Sequence, residues 1–464
     1  MNPHAPEQFP SNAREALTDR TLRTALRSAT DLFAQRRAAA IDAVPDWQQL
    51  REQARAIKAE VLDDLHGHVE KFAAAATAAG AAVHRAADAA AACAIVRQIA
   101  AANSAKRLVK SKSMATEEIH LNAALAADGA EPVETDLGEW IIQLAGETPS
   151  HIIVPAIHKT REAIGQLFVD KLGIPPSSDP QVLAAHARDR LRAHFAAADL
   201  GISGVNFGVA ETGTILVLEN EGNARMTTTL PKVHVAVMGI EKVIPRFADL
   251  AVFLKLLPRS GTGQHLTSYQ SLLTGPDPVG GEGPRELHIV LLDNGRSKIA
   301  ADPVMRQTLA CIRCGACLNA CPVYQSVGGH AYGSVYPGPI GAILSPQLHG
   351  GERAAKLPFA SSLCGACKDV CPVKIDIPTL LLELRQRAMQ PGKQSSWFER
   401  LGWRLWAWSM AGPRRYRLAT AIARIGQKLP FVARIAPPLA AWRSSRELPK
   451  AAPRPFRSTF RSEP

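Results

Sequence analysis

The chain has 464 residues, of which 46% are hydrophobic and 21% are charged, and its formal net charge is +12. These shares are close to those of ordinary folded proteins, which excludes wholesale disorder and argues against an integral membrane protein. No run of about 18 or more uncharged apolar residues is present, so no membrane-spanning helix is expected. The length predicts two or three globular units with extensions.

The positive charge is concentrated at one end of the chain. Residues 391–464 contain 15 Lys or Arg against three Glu, whereas the first 390 residues carry equal numbers of basic and acidic side chains. Acidic partners would therefore be attracted to one segment only. The first 16 residues lack the apolar core of a secretory signal, which predicts a cytoplasmic protein.

The first part of the chain is predicted to be helical. Residues 1–62 are rich in Ala, Leu, Arg and Glu, with a break at Pro45 and Asp46, and form a predicted N-terminal helical segment. Ala-rich sequence continues to about residue 127, where only residues 107–109 have a β-like composition. Cys93 lies in this stretch, and we expect it to be a buried packing residue.

Residues 63–300 are predicted to form an α/β domain around a largely parallel sheet, because short β-branched and apolar runs alternate with helical segments after Gly129. Ligands of open α/β sheets collect beyond the carboxyl ends of the strands, so a small-molecule site is expected there. The predicted strands are 152–154, 214–218, 233–238 and 287–292, and the predicted helices include 159–168 and 181–198.

Polar residues of this domain could line a pocket for a carboxylate or phosphate. Arg225 and the neighbouring threonines could hold a hydroxy-acid carboxylate by charge-assisted hydrogen bonds. The same residue types also suit turns and helix caps, and the sequence leaves both interpretations open. No dinucleotide-binding or phosphate-loop glycine motif is present, so neither NAD nor a nucleotide is expected as a cofactor. The candidate pocket residues are Lys110, Ser113, Glu219, Asn223, Arg225 and Thr228, with Ser111, Asn220 and Glu221 beside them.

Seven of the eight cysteines lie in two runs within residues 301–390, here called the cysteine module. In a reducing compartment such clustering indicates metal binding rather than disulfides. Zinc also uses Cys-x2-Cys pairs, but this spacing, closed by proline and then repeated, is that of bacterial ferredoxins. Two iron–sulfur clusters are therefore predicted. The runs are Cys311-x2-Cys314-x2-Cys317-x3-Cys321-Pro322 and Cys364-x2-Cys367-x3-Cys371-Pro372.

In such motifs the last thiolate of each run binds the cluster of the other run. The first cluster, a [4Fe–4S] cluster, is then predicted to bind Cys311, Cys314, Cys317 and Cys371, and the second to bind Cys321, Cys364 and Cys367. The second run lacks one cysteine, at the position of Ser361. The second cluster is therefore [3Fe–4S], or [4Fe–4S] with a fourth ligand that is not cysteine or that comes from a partner or substrate.

Two residues near the runs have alternative roles. Ser361 could be the missing ligand, although a loop or capping serine is the simpler interpretation. His330 could be a ligand or a proton relay, although a hydrogen-bonded loop histidine is favoured. It lies in residues 328–341, whose Gly and Pro content predicts an absence of regular helix and a backbone that passes close to sulfur.

Residues 391–464, here called the basic tail, contain five of the seven tryptophans. Trp397, Leu401, Leu405 and Trp408 share one helical face, and Leu418, Ile422, Ile425 and Leu429 repeat the pattern. Such helices suit an acidic partner subunit, which we favour, or peripheral contact of residues 397–442 with the inner face of a membrane. No nucleic-acid-binding module accompanies the charge. The composition beyond residue 448 predicts a disordered end.

Residues 135–140, 204–213, 219–225 and 311–346 closely resemble the lactate-utilisation protein B family, and the resemblance extends over roughly residues 9–443. It implies a domain similar to the CoA-transferase and ribose-phosphate-isomerase group, then a helical ferredoxin-like module and a C-terminal extension. It also implies two partner subunits, one cysteine-rich and redox-active and one with the same α/β domain type. The family's second run likewise has three cysteines.

The resemblance implies a role in oxidising L-lactate to pyruvate without NAD. We therefore expect a non-autonomous electron-transfer subunit of an L-lactate-oxidising complex. Two alternatives stay open: a redox-sensing or scaffold protein with labile clusters, and an electron-transfer subunit for glycolate or another 2-hydroxy acid.

Overall fold

The computed structural model describes residues 5–277, 279, 281, 283–348, 353–389 and 397–426, and the isolated residues 446, 447, 452 and 460. The chain divides into two compact units, Met1–Ala388 and Met389–Pro464. Within the described residues, no helix is both long enough and apolar enough to cross a membrane.

Three α-helices occupy most of residues 9–63, as the composition of residues 1–62 predicts, and a fourth helix follows them. The Asp19 side chain accepts a hydrogen bond from the backbone N–H of Leu22 and so caps the second helix. The predicted break at Pro45 and Asp46 separates the second helix from the third. These helices are α1 (Phe9–Thr18), α2 (Arg20–Asp42), α3 (Trp47–Asp63) and α4 (Leu65–Ala78).

A six-stranded, entirely parallel sheet forms the centre of the α/β region, which confirms the predicted parallel sheet. All seven residues of its central strand Val233–Gly239 are buried, as expected for a parallel strand covered on both faces. In chain order the strands are β1 (Ala82–Ala86), β2 (Arg107–Lys110), β3 (Glu131–Glu134), β4 (Leu200–Gly204), β7 (Val233–Gly239) and β10 (Glu286–Leu292), and their spatial order is β1-β10-β7-β4-β2-β3.

A smaller mixed sheet lies beside the parallel one, in the order β8-β5-β6-β9. Its strands are β5 (Phe207–Val209), β6 (Ile215–Glu219), β8 (Val243–Ile244) and β9 (Tyr269–Leu273). The prediction of a strand at residues 152–154 is wrong. That segment is a loop that folds over His151, whose Nδ1 accepts hydrogen bonds from the backbone N–H groups of Ile153 and Val154, and Ile152 is buried in the core.

Helices connect the parallel strands. They are α5 (Ala89–Ala102), α6 (Met114–Glu118), α7 (Leu121–Ala126), α8 (Leu137–Ala145), α9 (Arg161–Leu172), α10 (Pro180–Ala196), α11 (Asn223–Thr229), α12 (Leu250–Gly261) and α13 (Arg296–Ala301). The helices predicted at 159–168 and 181–198 correspond to α9 and α10. Cys93 is buried in α5 and donates a hydrogen bond to the carbonyl of Ile119, as expected for a packing residue.

The cysteine module is built of short helices that pack against α1, α2 and α3 in one continuous hydrophobic core. These helices are α14 (Ala316–Asn319), α15 (Pro322–Val327), α16 (Gly338–Leu348), α17 (Ala366–Val370) and α18 (Ile377–Ala388), and 3-10 turns lie at Met305–Ala310, His330–Tyr332 and Leu357–Phe359. The prediction that residues 328–341 contain no regular helix is wrong at its end. Helix α16 begins at Gly338, with Pro339 in the first turn, where a missing N–H is tolerated.

The second unit contains two described helices, α19 (Trp397–Met410) and α20 (Pro413–Gly426), which contact each other. Four tryptophans of α19 are each about half exposed, between 46% and 59%. The guanidinium of Arg415 lies over the ring of Trp408 at 5.4 Å, a cation–π contact. Lys428, Leu429, Trp442 and most of the end beyond residue 448 lie outside the described residues.

Candidate functional site

Four cysteines from both runs surround one small cavity of about 20 Å³. Helix α14 carries Cys317, and Cys371 directly follows α17, which packs against α14. Ile152, Ile340 and Val373 complete the apolar wall. Of the four cysteines, Cys311 is partly exposed and the other three are buried. The four, here called the first cysteine group, are Cys311, Cys314, Cys317 and Cys371.

The thiols of this group influence each other. Burial, and then the nearby Cys371 and Cys311, raise the pKa of Cys314 to about 12. Burial, and then Cys311, raise the pKa of Cys371 to about 11. Backbone N–H groups point at the sulfurs: Arg313 donates to Cys311 Sγ and Ile375 donates to Cys371 Sγ, each at 3.4 Å. Such N–H groups stabilise thiolates and tune the potential of a cluster bound by them.

The other three cysteines form a second group of Cys321, Cys364 and Cys367. Burial, and then Cys321, raise the pKa of Cys367 to about 12. Cys364 differs because it is exposed, and the backbone N–H of Ala366 and the side chain of Ser362 lower its pKa. The two groups therefore combine cysteines across the two runs.

Both donor sets fit iron–sulfur clusters. Six of the seven sulfurs lie in residues that are wholly or largely buried, and their surroundings are apolar with N–H donors. Thiolates in such surroundings are the ligands that iron–sulfur clusters use. Ser361 Oγ accepts a hydrogen bond from the backbone N–H of Leu363 at 3.1 Å, and His330 Nε2 lies 2.6 Å from the carbonyl oxygen of Thr148. Both contacts match the loop roles favoured from the sequence.

A buried arginine of helix α3, Arg51, contacts the backbone of the second cysteine run. The Arg51 guanidinium bonds the carbonyl oxygens of Cys371 and Asp369 at 2.7 and 2.9 Å. Arg37 of α2 bonds the carbonyl oxygen of Val370 at 3.1 Å. Positive charge beside a cluster stabilises the negative charge that the cluster and its thiolates carry. The N-terminal helices are therefore part of the metal-binding region.

A larger cavity of about 370 Å³ lies beyond the carboxyl ends of β2, β4 and β7, here called the carboxyl-edge cavity. Arg313 lines both this cavity and the small one within the first cysteine group. The larger cavity is therefore adjacent to the predicted first cluster. Its polar lining includes Ser111, Lys112, Ser113, Asp136, Asn206, Glu219, Asn220, Glu221, Asn223, Glu241, Lys242, Arg296, Arg313 and Tyr336.

A buried ion network forms the base of this cavity. Arg296 bonds Glu118 through two N–H···O contacts of 2.8 and 2.7 Å, and its Nε bonds Glu241 at 2.6 Å. Arg313 Nη2 lies 3.2 Å from Glu241 Oε1, and its guanidinium lies over the Tyr336 ring. Burial opposes ionisation of Glu241, but Arg296 and Arg313 hold the pKa of Glu241 at about 2. The network is therefore ionised at neutral pH.

Two other ionisable groups that line the cavity, one acidic and one basic, have pKa values shifted toward neutrality. Burial, and then Asp136, raise the pKa of Glu221 to about 7. Burial, and then Arg313, lower the pKa of Lys242 to about 7. The cavity thus has a cationic end near the first cysteine group and a carboxyl-rich wall.

Of the six candidate pocket residues, Ser113, Glu219 and Asn223 line this cavity. Lys110 does not: it is the last residue of β2, and its buried side chain forms ion pairs with Glu134 and Glu117 at 2.7 and 3.0 Å. Arg225 stacks on Tyr269, and the hydroxyl of Thr228 donates to the Arg225 carbonyl within α11. Neither residue lines the cavity.

Sequence reasoning missed most of the cationic lining. Glu241 and Lys242 follow β7 directly, so the rule that ligands collect beyond strand ends could have found them. Arg313 stands between two cysteines, where the ferredoxin spacing drew attention to the cysteines alone. Arg296 opens a short helix after β10, with no motif around it.

Three family models match successive parts of the chain: "LUD domain" at residues 69–292, "4Fe-4S dicluster domain" at 307–375 and "Lactate utilisation protein B, C-terminal" at 384–464. Lactate utilization protein B of Bacillus licheniformis is 41% identical over 461 residues, and that of Geobacillus kaustophilus is 42% identical over 461 residues. Each alignment covers 98% of this chain and 96% of the relative.

A crystal structure of a DUF162 family protein from Deinococcus radiodurans aligns with 51% of this chain and 98% of its own, at a TM-score of 0.27 and 14% identity. The full-length identity to the curated proteins is what decides the family. The chain belongs to the lactate utilization protein B family.

Proposed function

We propose that this protein is the iron–sulfur electron-transfer subunit of a complex that oxidises L-lactate to pyruvate. The observation that carries the proposal is the grouping of seven cysteines into two sets. Each set contains cysteines from both runs. Crossed ligation brings two clusters close together, as electron relay requires. Bound clusters would each accept and release single electrons.

The first cysteine group is proposed to hold a [4Fe–4S] cluster, with Cys311, Cys314, Cys317 and Cys371 as ligands. The second group would hold a [4Fe–4S] cluster with a fourth ligand other than cysteine, or a [3Fe–4S] cluster. Support for the first assignment comes from the cavity that all four sulfur-bearing residues line. The exposure of Cys364 supports a second cluster that is open toward a partner or solvent.

The protein's own residues would exclude water and balance charge. Apolar residues around the first group keep solvent away, and Arg51 and Arg313 place positive charge near its thiolates. In a region of low effective dielectric constant, such charges act more strongly than in water. They would stabilise the reduced, more negative state of the cluster.

The finer statements about fold and partners rest on the family. We propose that the α/β region has the CoA-transferase type of fold, and that two other lactate-utilisation subunits bind this one, one cysteine-rich and one of the same domain type. The exposed tryptophans and basic residues of α19 and α20 support a docking role for the basic tail, toward an acidic subunit or peripherally toward an anionic membrane surface.

The test is anaerobic purification of the full chain with its two partner subunits, followed by addition of L-lactate and EPR spectroscopy. We expect near eight irons per chain, or near seven if the second cluster is [3Fe–4S], and cluster signals of the reduced state after lactate is added. Clusters that form but are never reduced by lactate, in the presence of both partners, would contradict the proposal. Glycolate in a parallel sample distinguishes a subunit for another 2-hydroxy acid.

The exposure of Cys364 also favours a second function, the sensing of oxygen or iron by a labile cluster. A sensor would lose its second cluster on brief exposure to air, and the partner subunits would oxidise lactate without it. An electron-transfer subunit would be required for that oxidation. The rate of lactate oxidation by the two partner subunits, measured once with this chain and once without it, therefore separates the two functions.

A further inference from the structure

The carboxyl-edge cavity contains buried hydrogen-bond donors that are not used by the protein. Arg313 Nη1 is buried and has no hydrogen-bond partner among the described residues, and the same is true of Ser111 Oγ. The Arg313 side chain is only 8% exposed. A buried donor without an acceptor costs free energy, and native proteins rarely leave one unsatisfied without a ligand or water.

A third donor adds to these two. Lys242 lines the same cavity, and its ammonium makes no hydrogen bond or ion pair within the described part of the chain. Its neighbours Arg296 and Arg313 already share the carboxylate of Glu241. Lys58 takes the backbone carbonyl of Glu241 instead. This end of the cavity therefore has more hydrogen-bond donors than acceptors.

We propose that the carboxyl-edge cavity binds a small carboxylate of the 2-hydroxy or 2-oxo acid class, with its carboxylate group on Arg313, Lys242 and Ser111. The choice of this acid class rests on the proposed function. The planar guanidinium of an arginine matches a carboxylate, and bonds between ionised partners are about twice as strong as neutral ones. Lys242 and Ser111 follow the ends of β7 and β2, Arg313 lies in the first cysteine run, and all three residues line this cavity.

The opposite wall suits the other end of such an acid. Asn206 and Asn223 line the cavity, and so do Asp136, Glu219 and Glu221. Glu219 is already fixed by the backbone N–H groups of Ala224 and Arg225 at 2.8 and 2.7 Å, so its carboxylate is held in place. Carboxylate and amide oxygens accept a bond from a hydroxyl group, and amide N–H groups donate to a ketone. Both acid types therefore find complementary groups.

The position of the donors links binding to the first cluster. Arg313 lines the small cavity of the first cysteine group as well as the larger one, and its backbone N–H points at Cys311 Sγ. An anion on its guanidinium would therefore change the charge next to the predicted cluster. Binding should be visible in the spectrum of that cluster as well as by calorimetry.

The experiment measures binding to the anaerobic, cluster-loaded full chain without its partners. Pyruvate, L-lactate and glycolate are titrated by calorimetry, with acetate and inorganic phosphate as anion controls, and the EPR spectrum of the reduced clusters is recorded with and without pyruvate. We expect saturable binding of the 2-hydroxy or 2-oxo acids, weaker binding of acetate, and a shift of the first cluster's signal.

Lys242→Met and Ser111→Ala are expected to weaken pyruvate binding at least about tenfold each, the factor that 1.4 kcal/mol represents. Arg225→Met is the matched control, because Arg225 is a cation of the same domain that lies outside the cavity, and its variant should bind as the wild type does. Iron content and circular dichroism establish that each variant is folded and loaded.

Equal affinity in the wild type and both cavity variants, or no saturable binding by the wild type, would overturn the inference. The wild-type titration is decisive even if a variant fails to fold. These outcomes are separable from failure of the proposed function. Clusters reduced by lactate only through the partners, with no acid bound to this chain, would leave the electron-transfer role intact.

Discussion

Arg51 donates two hydrogen bonds to the backbone carbonyl oxygen of Cys371, from Nε at 3.0 Å and from Nη2 at 2.7 Å. The two residues are 320 positions apart in the chain. Helix α3 therefore fixes the backbone of the last cysteine in the second run, and it brings a positive charge to the first cysteine group.

Replacing Arg51 with Met should lower the reduction potential of the first cluster. One charge about 8 Å away at an effective dielectric constant of about 20 contributes about 2 kcal/mol, which corresponds to on the order of 50–100 mV for one electron. Arg51→Lys should have a smaller effect. Redox titration followed by EPR measures the change.

Arg55→Met is the control. Arg55 lies one turn further along α3 at an exposed position, where it bonds Glu52, and its replacement should leave the potential unchanged. An equal shift in both variants would contradict the role of Arg51.

Crossed ligation predicts which cysteine variants share a phenotype. Cys371→Ala should alter the same EPR signal as Cys311→Ala, because both residues line one cavity. Cys321→Ala should instead alter the same EPR signal as Cys364→Ala, because Cys364 is close enough to Cys321 to raise its pKa. Iron analysis and EPR of the four single variants measure this. If Cys321→Ala matched Cys311→Ala, each run would hold its own cluster and the crossed assignment would be wrong.

Replacing Arg296 with Met should destabilise the protein strongly. The change leaves Glu118 and Glu241 buried without their shared cation, and breaking a buried pair costs about 3–5 kcal/mol of unfolding free energy. Urea unfolding followed by circular dichroism measures the loss. Arg97→Met, which breaks the exposed ion pair with Asp128, is the control and should cause little loss. A small effect of Arg296→Met would mean that the two carboxyl groups take up protons instead.

The stability should fall as the pH falls below about 6.5, in part because of His234. Burial, and then His288, lower the pKa of His234 to about 3, so the unfolded chain binds a proton there before the folded one does. Stability from this residue is complete above its unfolded pKa and decreases by about 1.4 kcal/mol per pH unit below it. His151, with a pKa also lowered to about 3 by burial and Lys112, adds a second contribution.

His234→Gln should remove its share of this pH dependence. Urea unfolding at pH 7.5 and pH 5.5 measures the difference, which should shrink by about 1.4 kcal/mol in the variant. His66→Gln is the control, because the His66 side chain is 87% exposed. An identical pH dependence in the wild type and His234→Gln would show that this histidine binds protons equally in the folded and unfolded states.

Features marked by local sequence patterns were predictable. Strands β7 and β10 are mostly apolar, although His234 and His288 interrupt them. The spacing of the cysteines indicates metal binding without any knowledge of the fold. Strand β1 was not predicted because only Ala86 of its five residues is buried, so it lacks an apolar pattern. Residues 152–154 have a strand-like composition but pack around His151 as a loop. The contact of Arg51 with Cys371 depends on tertiary structure and leaves no local signal.

The cationic end of the carboxyl-edge cavity could be predicted only in part. Lys242 follows a predicted strand directly, as a ligand-binding residue should. The backbone of Arg313 has a φ of 61°, in the left-handed region, where few residues other than glycine are found. The sequence around Arg313 does not predict this conformation. Lys110 ends a strand, as a ligand-binding residue often does, but the buried carboxylate that pairs with it is distant enough in sequence to leave no local pattern.

The exchange of members between the two cysteine runs constrains the order of biosynthesis. On the ribosome, Cys311, Cys314 and Cys317 emerge well before Cys371, and α3 with Arg51 emerges before any of these cysteines. The final ligand of the first cage can join only after the second run has been translated and has docked on helices made at the very start. The proposed first cluster should therefore be completed only after Cys371 has been translated, and a chain truncated before Cys371 should lack its fourth ligand.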